Sequence, residues 1–333
     1  MPLTATTSEA GIDVRSRCGR FISVVTTAWN EEESLQRFYE EVRGALLSCN
    51  CAEFEILVVD NGSSDGTLSL LRSFHAADPR LVYLQLSRNF GHQGGLIAGM
   101  ENCRGDVVIT LDADLQHPPA LIPELIALWE KGFDVVNTQK LPVDHIGRSR
   151  RLLNGFFYRA LSTLCRMPLN ERQSDFRLFD RVALVALISL PERAKFLRGL
   201  SHWIGFRQTS LPYRPAPRYS GRSKFSLTHL VMFAVSGVLS FTTMPLRAFT
   251  FLGMTVACLA MAYGAWAIAV YVSSPENIPP GWASLAVGIC FLGGLQLLGI
   301  GVVGEYVGRV LSEVHGRPAY IVRERSLSQG SGR

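Results

Sequence analysis

An α/β domain on a mostly parallel sheet, followed by interfacial helices and a two-helix transmembrane hairpin, is the architecture this 333-residue sequence predicts. Three observations predict it. Apolar strand-length runs alternate with segments of helical period over residues 20–140, as in a parallel sheet. Polar clusters follow the strand runs, where such sheets bind ligands. Beyond Leu246, two charge-free runs are long enough to cross a bilayer.

Residues 1–19 are polar, lack the apolar core of a signal peptide, and read as a disordered lead-in. The α/β domain is expected over 20–225, its first strand at 21–27. Leu35, Phe38, Tyr39, Val42 and Leu46 then recur at helical spacing, and Glu31, Glu32 and Glu33 suit the positive end of that helix. A second strand at 54–60 ends in a Gly/Ser/Asp turn, where Asp65 is the expected cap of a helix from Thr67. Strands follow at 81–86, 106–111 and 133–137, with helices near 96–102 and after Pro118 and Pro119. Residues 145–225 are less regular. They read as a helix near 152–165, a strand near 176–179, a helix over 181–190, and a Pro-, Arg- and Gly-rich loop ending at Lys224.

Residues 226–246 are apolar but interrupted by Thr, Ser, Gly and Pro245, which favours helices lying at a membrane interface. The hairpin is expected over 247–305, with spans at 248–272 and 282–304 and a tail at 306–333. Its short connecting loop holds no Lys or Arg, whereas Arg247 precedes it and Arg309, Arg317, Arg323 and Arg325 follow. The positive-inside rule then puts the α/β domain and the tail on the cytoplasmic face of a cell's inner membrane, in a multi-pass protein.

Charge and cysteine usage narrow the function classes. The net charge is +5, yet residues 193–224 hold eight Lys or Arg and no Asp or Glu. Residues 145–170 add several arginines. Such runs close to membrane segments suit phosphate groups and anionic lipid. The seven cysteines show no paired metal-ligand spacing, which argues against zinc and fits free thiols in a reducing cytosol.

The chemistry concentrates at strand ends. Asp112-Ala113-Asp114 places two carboxylates just past a buried strand, where they can converge on one hard cation. Mg²⁺ or Mn²⁺ takes few protein carboxylates and fills its shell from substrate phosphates. Such a cation neutralises charge on a departing nucleoside diphosphate. Asp60 ends another strand and is placed to accept a hydrogen bond from a nucleobase, on which Trp29 could stack. Gly91-His92-Gln93-Gly94-Gly95 lacks the G-x-G-x-x-G spacing, so a dehydrogenase is a poor reading and the glycines point to close packing.

Residues 24–35, 58–67, 87–99, 112–119, 174–181, 196–206 and 221–225 together resemble the polyprenyl-phosphate glycosyltransferases of glycosyltransferase family 2. The resemblance covers roughly residues 20–310 and is most specific at 86–119 and 175–181. It implies a GT-A fold and inverting transfer of a sugar from a UDP- or GDP-linked donor to a polyprenyl phosphate such as undecaprenyl phosphate. The roles it implies put Thr27, Trp29, Glu31, Asp60, Asn61, Arg88 and Asp112 at the nucleotide. Asp112, Asp114 and Gln116 fall at the metal and diphosphate, with Asp114 and Asp175 catalytic. Arg148, Arg151, Arg177, Ser223 and Lys224 fall at the acceptor phosphate. It further implies a homo-oligomer, a tetramer, and nucleic acid is not among the expected partners.

The sequence departs from the family pattern in four places. Thr27 stands for Pro, Trp29 for Tyr, Asn61 for Asp, and His117 for Asp after the Gln; no metal-site carboxylate is lost. A phosphate monoester is already largely a dianion near neutral pH, its second pKa being about 6. Asp175 is therefore expected to orient the attack or stabilise positive charge more than to remove a proton. A processive polysaccharide synthase predicts a Gln-x-x-Arg-Trp motif and more spans, and neither is present. A non-catalytic scaffold or lipid carrier predicts decay of the carboxylates, and all remain.

Overall fold

The computed structural model describes residues 20–49, 53–141, 173–192, 195–214, 244–273 and 281–326. These fall into two units: the α/β unit, which ends with residues 318–326, and a helical unit over 244–317. The disordered lead-in, the helix near 152–165 and nearly all of 226–246 lie outside the described residues.

The α/β unit is one eight-stranded sheet in the order β7-β5-β6-β4-β1-β2-β3-β8. Its strands are β1 (Phe21–Ala28), β2 (Glu53–Asp60), β3 (Leu81–Leu86), β4 (Val107–Thr110), β5 (Val135–Lys140), β6 (Gln173–Asp180), β7 (Gln208–Tyr213) and β8 (Val322–Arg325). The expected parallel core is present: β1 pairs with both β2 and β4, and β2 with β3. The sheet is nevertheless mixed, because β6 runs antiparallel between β4 and β5, and β8 antiparallel to β3. Strands β1 to β4 are apolar on both faces and almost wholly buried, as strands covered by helices on both sides must be.

The helices of this unit are α1 (Leu35–Ser48), α2 (Thr67–Ala77), α3 (Gly91–Asn102), α4 (Ile122–Glu130), α5 (Arg181–Ile188) and α6 (Leu197–Trp203). On α1 the buried residues are Leu35, Phe38, Val42 and Leu46, the stripe read from the sequence. Helix α1 begins at Leu35, so Glu31, Glu32 and Glu33 occupy the turn before it rather than its first turn. Asp65 accepts the Thr67 backbone N–H at 3.1 Å at the start of α2.

Helix α3 lies unusually close to the sheet. A Cβ on Gly99 would stand 2.3 Å from Val25 Cγ1, and one on Gly95 would stand 2.5 Å from Thr27 Oγ1. Gly99→Ala is therefore expected to cost about 1–3 kcal/mol by overpacking, read as a lower urea midpoint with an unchanged slope.

Asp78 ties α1 to the turn before β3. It accepts hydrogen bonds from Tyr39 Oη at 2.8 Å and Arg80 Nη2 at 2.7 Å, with Arg43 Nε at 3.3 Å. The Arg80 hydrogen bond, opposed by partial burial, holds this carboxyl well below the usual carboxylate range. A depressed folded-state pKa contributes stability that is complete above the unfolded value of about 3.9 and is lost as pH falls from there through the folded value. Melting midpoints taken between roughly pH 5 and pH 2.5 should fall more steeply for wild type than for Asp78→Asn.

The expected tail at 306–333 is in part a strand. Val322–Arg325 pairs with the β3 edge, Tyr83 Oη donates to Glu324 at 2.7 Å, and Arg72 bonds the same carboxylate. Tyr320 Oη donates to Glu101 on α3 at 2.7 Å. An otherwise open sheet edge is thereby covered.

The helical unit contains α7 (Met244–Ser273) and α8 (Trp282–Val314). Both outrun the expected spans, α8 by ten residues. Each holds a window, 249–266 and 291–314, long and apolar enough to cross a membrane. Their large apolar side chains are not in a core: Phe251 is 76% exposed and Leu297 72%.

Candidate active site

The parallel strands β1, β2, β3 and β4 all end on one edge of the sheet. The loops after them bring together Trp29–Ser34, Asn61–Gly66, Ser87–Phe90 and Leu111–Pro118. Strand β6 reaches the same edge from the opposite direction. Its antiparallel register sets Val107 against Asp180 and Thr110 against Arg177. Continuing that count places Asp175 beside the Asp112 turn, and Thr110 Oγ1 donates to the Asp175 carbonyl at 2.7 Å.

In the turn after β4, burial alternates. Ala113, Leu115 and His117 are buried, while Asp112, Asp114 and Gln116 are half-exposed. Leu115 has a φ of +60°, a left-handed backbone rare for a branched side chain and typical of functional turns. This bend lets Gln116 N–H donate to Asp114 Oδ1 at 3.0 Å and Asp112 N–H donate to His117 Nδ1 at 3.2 Å. The three outward positions thus share one rim.

His117, Ser174 and Asp112 sit in an order that suggests a hydrolytic triad, but the polarity is reversed. Because Nδ1 accepts the Asp112 amide, the ring proton sits on Nε2 and donates to Ser174 Oγ at 2.6 Å. Tyr213 Oη also donates to that oxygen at 3.2 Å. His117 and Ser174 are each 2% exposed, and burial pushes the histidine pKa down. The trio braces the turn after β4 against β6.

On the neighbouring loops, Asp60 is fully buried. Its Oδ1 accepts the Ser63 N–H at 3.0 Å, and its Oδ2 has no hydrogen-bond partner among the described residues. Trp29, 48% exposed, follows Ala28, which is set against Asp60 in the β1–β2 register. Glu31 accepts a hydrogen bond from Ser34 Oγ at 2.6 Å, and its backbone N–H donates to Thr67 Oγ1 at 3.0 Å. Thr27 lies under Gly95 of α3. Arg88 is exposed and stacks on the Phe90 ring at 4.0 Å.

Two expected contacts are placed differently. Asn61 was expected at the nucleotide, but its amide holds the next loop: Nδ2 donates to Gly91 O at 2.9 Å and Oδ1 accepts Phe90 N–H at 2.9 Å. An aspartate there could not make both bonds. Arg177 was expected at the acceptor phosphate, but it is 2% exposed. Its Nε donates to Ser174 O at 2.9 Å and its Nη1 to Ser201 Oγ at 2.5 Å. Arg148, Arg151, Ser223 and Lys224 lie outside the described residues.

Asp175 is paired bidentately with Arg198, Nε to Oδ1 at 3.0 Å and Nη2 to Oδ2 at 2.8 Å. His92 Nε2 stands 3.6 Å from Asp175 Oδ2 and 3.4 Å from Asp112 Oδ1. Burial would raise the Asp175 pKa, but contacts with His92 and Arg198 and the charge of Arg177 hold it well below the carboxylate range. Arg198 and His92 were missed in the sequence. Both lie in recognised stretches, yet nothing in their spacing distinguishes them from surface charge or loop filler.

The Glycosyl transferase family 2 model matches residues 23–187. The bactoprenol glucosyl transferase of the SfII prophage in Shigella flexneri is 39% identical over 91% of this chain and 97% of its own length. The chain belongs to glycosyltransferase family 2. The prophage bactoprenol glucosyl transferase homolog of Escherichia coli is 38% identical, covering 91% of this chain and 98% of the other. An uncharacterized glycosyltransferase of Synechocystis sp. is 36% identical over 91% and 95%. Among solved structures, the mannosyltransferase PcManGT of Pyrobaculum calidifontis matches 92% of this chain and 91% of its own at 17% identity, with a TM-score of 0.45. Membership of this family makes the protein a glycosyltransferase.

Proposed function

We propose that this glycosyltransferase moves a hexose from a nucleotide-sugar to a polyprenyl phosphate at a membrane surface, with inversion. The observation that carries the donor half is the shared strand-end rim of Asp112, Asp114 and Gln116, on the same sheet edge as Asp60, whose buried Oδ2 has no hydrogen-bond partner among the described residues. A buried acceptor without a partner is costly, and a nucleobase N–H would satisfy it, with Trp29 offering a ring face. The relatives named bactoprenol glucosyl transferases support the lipid half and make glucose the first sugar to test.

Two carboxylates and a side-chain amide, all hard oxygen donors, fit Mg²⁺ or Mn²⁺. Such an ion completes its shell from diphosphate and water. Asp112 and Asp114 would hold it, with Gln116 beside them. When bound, it supplies charge neutralisation to the departing nucleoside diphosphate.

The exposed apolar faces of α7 and α8 support insertion in lipid, since soluble surfaces rarely carry patches of that extent. The chain leaves the α/β unit before the helical unit and re-enters it afterwards. An inserted helical unit must then cross an even number of times. A hairpin of α7 and α8 meets that requirement. With the basic flanks facing inward, the active site is on the cytoplasmic side. The acid-free basic stretch ending at Lys224, with Arg148 and Arg151, would meet lipid headgroups.

The direct test uses purified protein, undecaprenyl phosphate, Mg²⁺ or Mn²⁺, and a panel of UDP- and GDP-sugars, scored for lipid-linked product. A product that depends on the lipid phosphate and the cation is expected. Intact nucleotide binding with no product from any donor would instead favour a non-catalytic scaffold.

A further inference from the structure

Four charged or titratable side chains form a chain across the strand-end rim: Asp112, His92, Asp175 and Arg198. At one end, Asp112 with Asp114 makes a negative patch. At the other, Asp175 lies between Arg198 at 2.8 Å and Arg177 at 3.9 Å, so that group carries one positive charge in excess. The rim is therefore suited to a cation at one end and to an anion at the other.

The three basic groups around Asp175 are not equivalent. Arg177 is 3% exposed at its side chain; its Nε and Nη1 are taken by backbone carbonyls and Ser201, and its Nη2, with no hydrogen-bond partner among the described residues, is buried out of a ligand's reach. His92 Nε2 lies between two carboxylates. Arg198 is 34% exposed, whereas the Asp175 carboxylate it grips is 8% exposed. An approaching ligand meets the guanidinium before the carboxylate. The side-on pairing through Nε and Nη2 fixes the guanidinium plane, and a fixed planar fork is the arrangement that recognises phosphate.

We infer that Arg198 receives the phosphate of the acceptor, and that Asp175 acts as a positioning residue that holds Arg198 rather than as a base. The inference rests on the proposed lipid-phosphate acceptor and names the contact within it. A carboxylate whose two oxygens are held by one guanidinium could take a proton only by giving up that pair. A phosphate monoester near neutral pH has little proton to give. Phosphate from the donor could seek the same fork, so the test separates the two sources.

The experiment uses the full-length enzyme in detergent and measures lipid-phosphate KM and kcat, UDP binding by titration, and the melting midpoint. Arg198→Ala is expected to raise the KM for undecaprenyl phosphate by about 10-fold or more, the range in which loss of a charge-assisted phosphate contact falls, with UDP affinity unchanged. Asp175→Asn should give the same KM phenotype with a pH–rate profile parallel to wild type. The double variant should be no worse than the worse single one, and Arg198→Lys should recover part of the lipid KM. A fall in kcat with unchanged lipid KM in Asp175→Asn, together with a normal Arg198→Ala, would overturn the inference in favour of a base. Loss of UDP affinity in both Arg198 variants would overturn it in favour of a donor contact. A wild-type enzyme inactive on every phosphate lipid would overturn the acceptor reading itself, a result none of the variants can mimic.

Discussion

Asp114→Asn is expected to slow sugar transfer by about a hundred- to a thousandfold, the usual loss when one preorganised electrostatic contact to a leaving group is removed. Asp112→Asn should fall in the same range. The reason lies in charge rather than shape. Asparagine keeps a carbonyl oxygen that can accept the Gln116 N–H now bound by Asp114 Oδ1 at 3.0 Å, so the turn through Leu115 should persist. What is lost is the negative charge that a hard divalent cation needs when only two carboxylates serve it. Initial rates across a Mn²⁺ titration, alongside melting midpoints, check this. A variant that stays folded but shows near wild-type rates at every Mn²⁺ concentration would remove Asp114 from the metal role. An equal loss in Asp112→Asn and Asp114→Asn would fit both carboxylates on one ion.

Arg177→Ala should act in the opposite way, on stability first and on every function with it. Removing one partner from a buried charged network costs about 3–5 kcal/mol. Here Ser174 O and Ser201 Oγ would lose their donor, and Asp175 would lose a neighbouring positive charge. Burial already pushes the Arg177 guanidinium down to about 10, so it remains charged at neutral pH and its loss is the loss of a cation. For a domain of this size that is a drop in melting midpoint of roughly 10 °C or more. Nucleotide binding and lipid kinetics should decline together as the fold weakens. A stable Arg177→Ala protein with a selective rise in lipid KM would return Arg177 to the acceptor phosphate.

These two residues show where the linear chain is informative and where it is not. Asp112 and Asp114 were legible because their neighbours signal a strand end: an apolar run before them and Pro118 and Pro119 after them. Local periodicity and turn chemistry are short-range, so they can be read without knowing what packs above. The same holds for the α1 stripe, for the parallel core and for the two apolar helices, whose length and composition can be read from the sequence. The burial of Arg177 was not legible because one residue in a strand faces either inward or outward according to pairing, and its strand pairs across more than sixty positions of sequence with β4.

The family, the α/β core, the strand-end carboxylates and the two long apolar helices are legible in the linear chain, because each is written in spacing within one or two elements. That β6 runs antiparallel, and hence that Asp175 meets the Asp112 turn with Arg198 across both its oxygens, emerges only when the strands are paired. Only the tertiary structure shows Asn61 spent on the Phe90–Gly91 loop and the tail closing the β3 edge. Those are long-range pairings, and a strand register shifted by one residue would have turned every one of the β6 side chains to the other face.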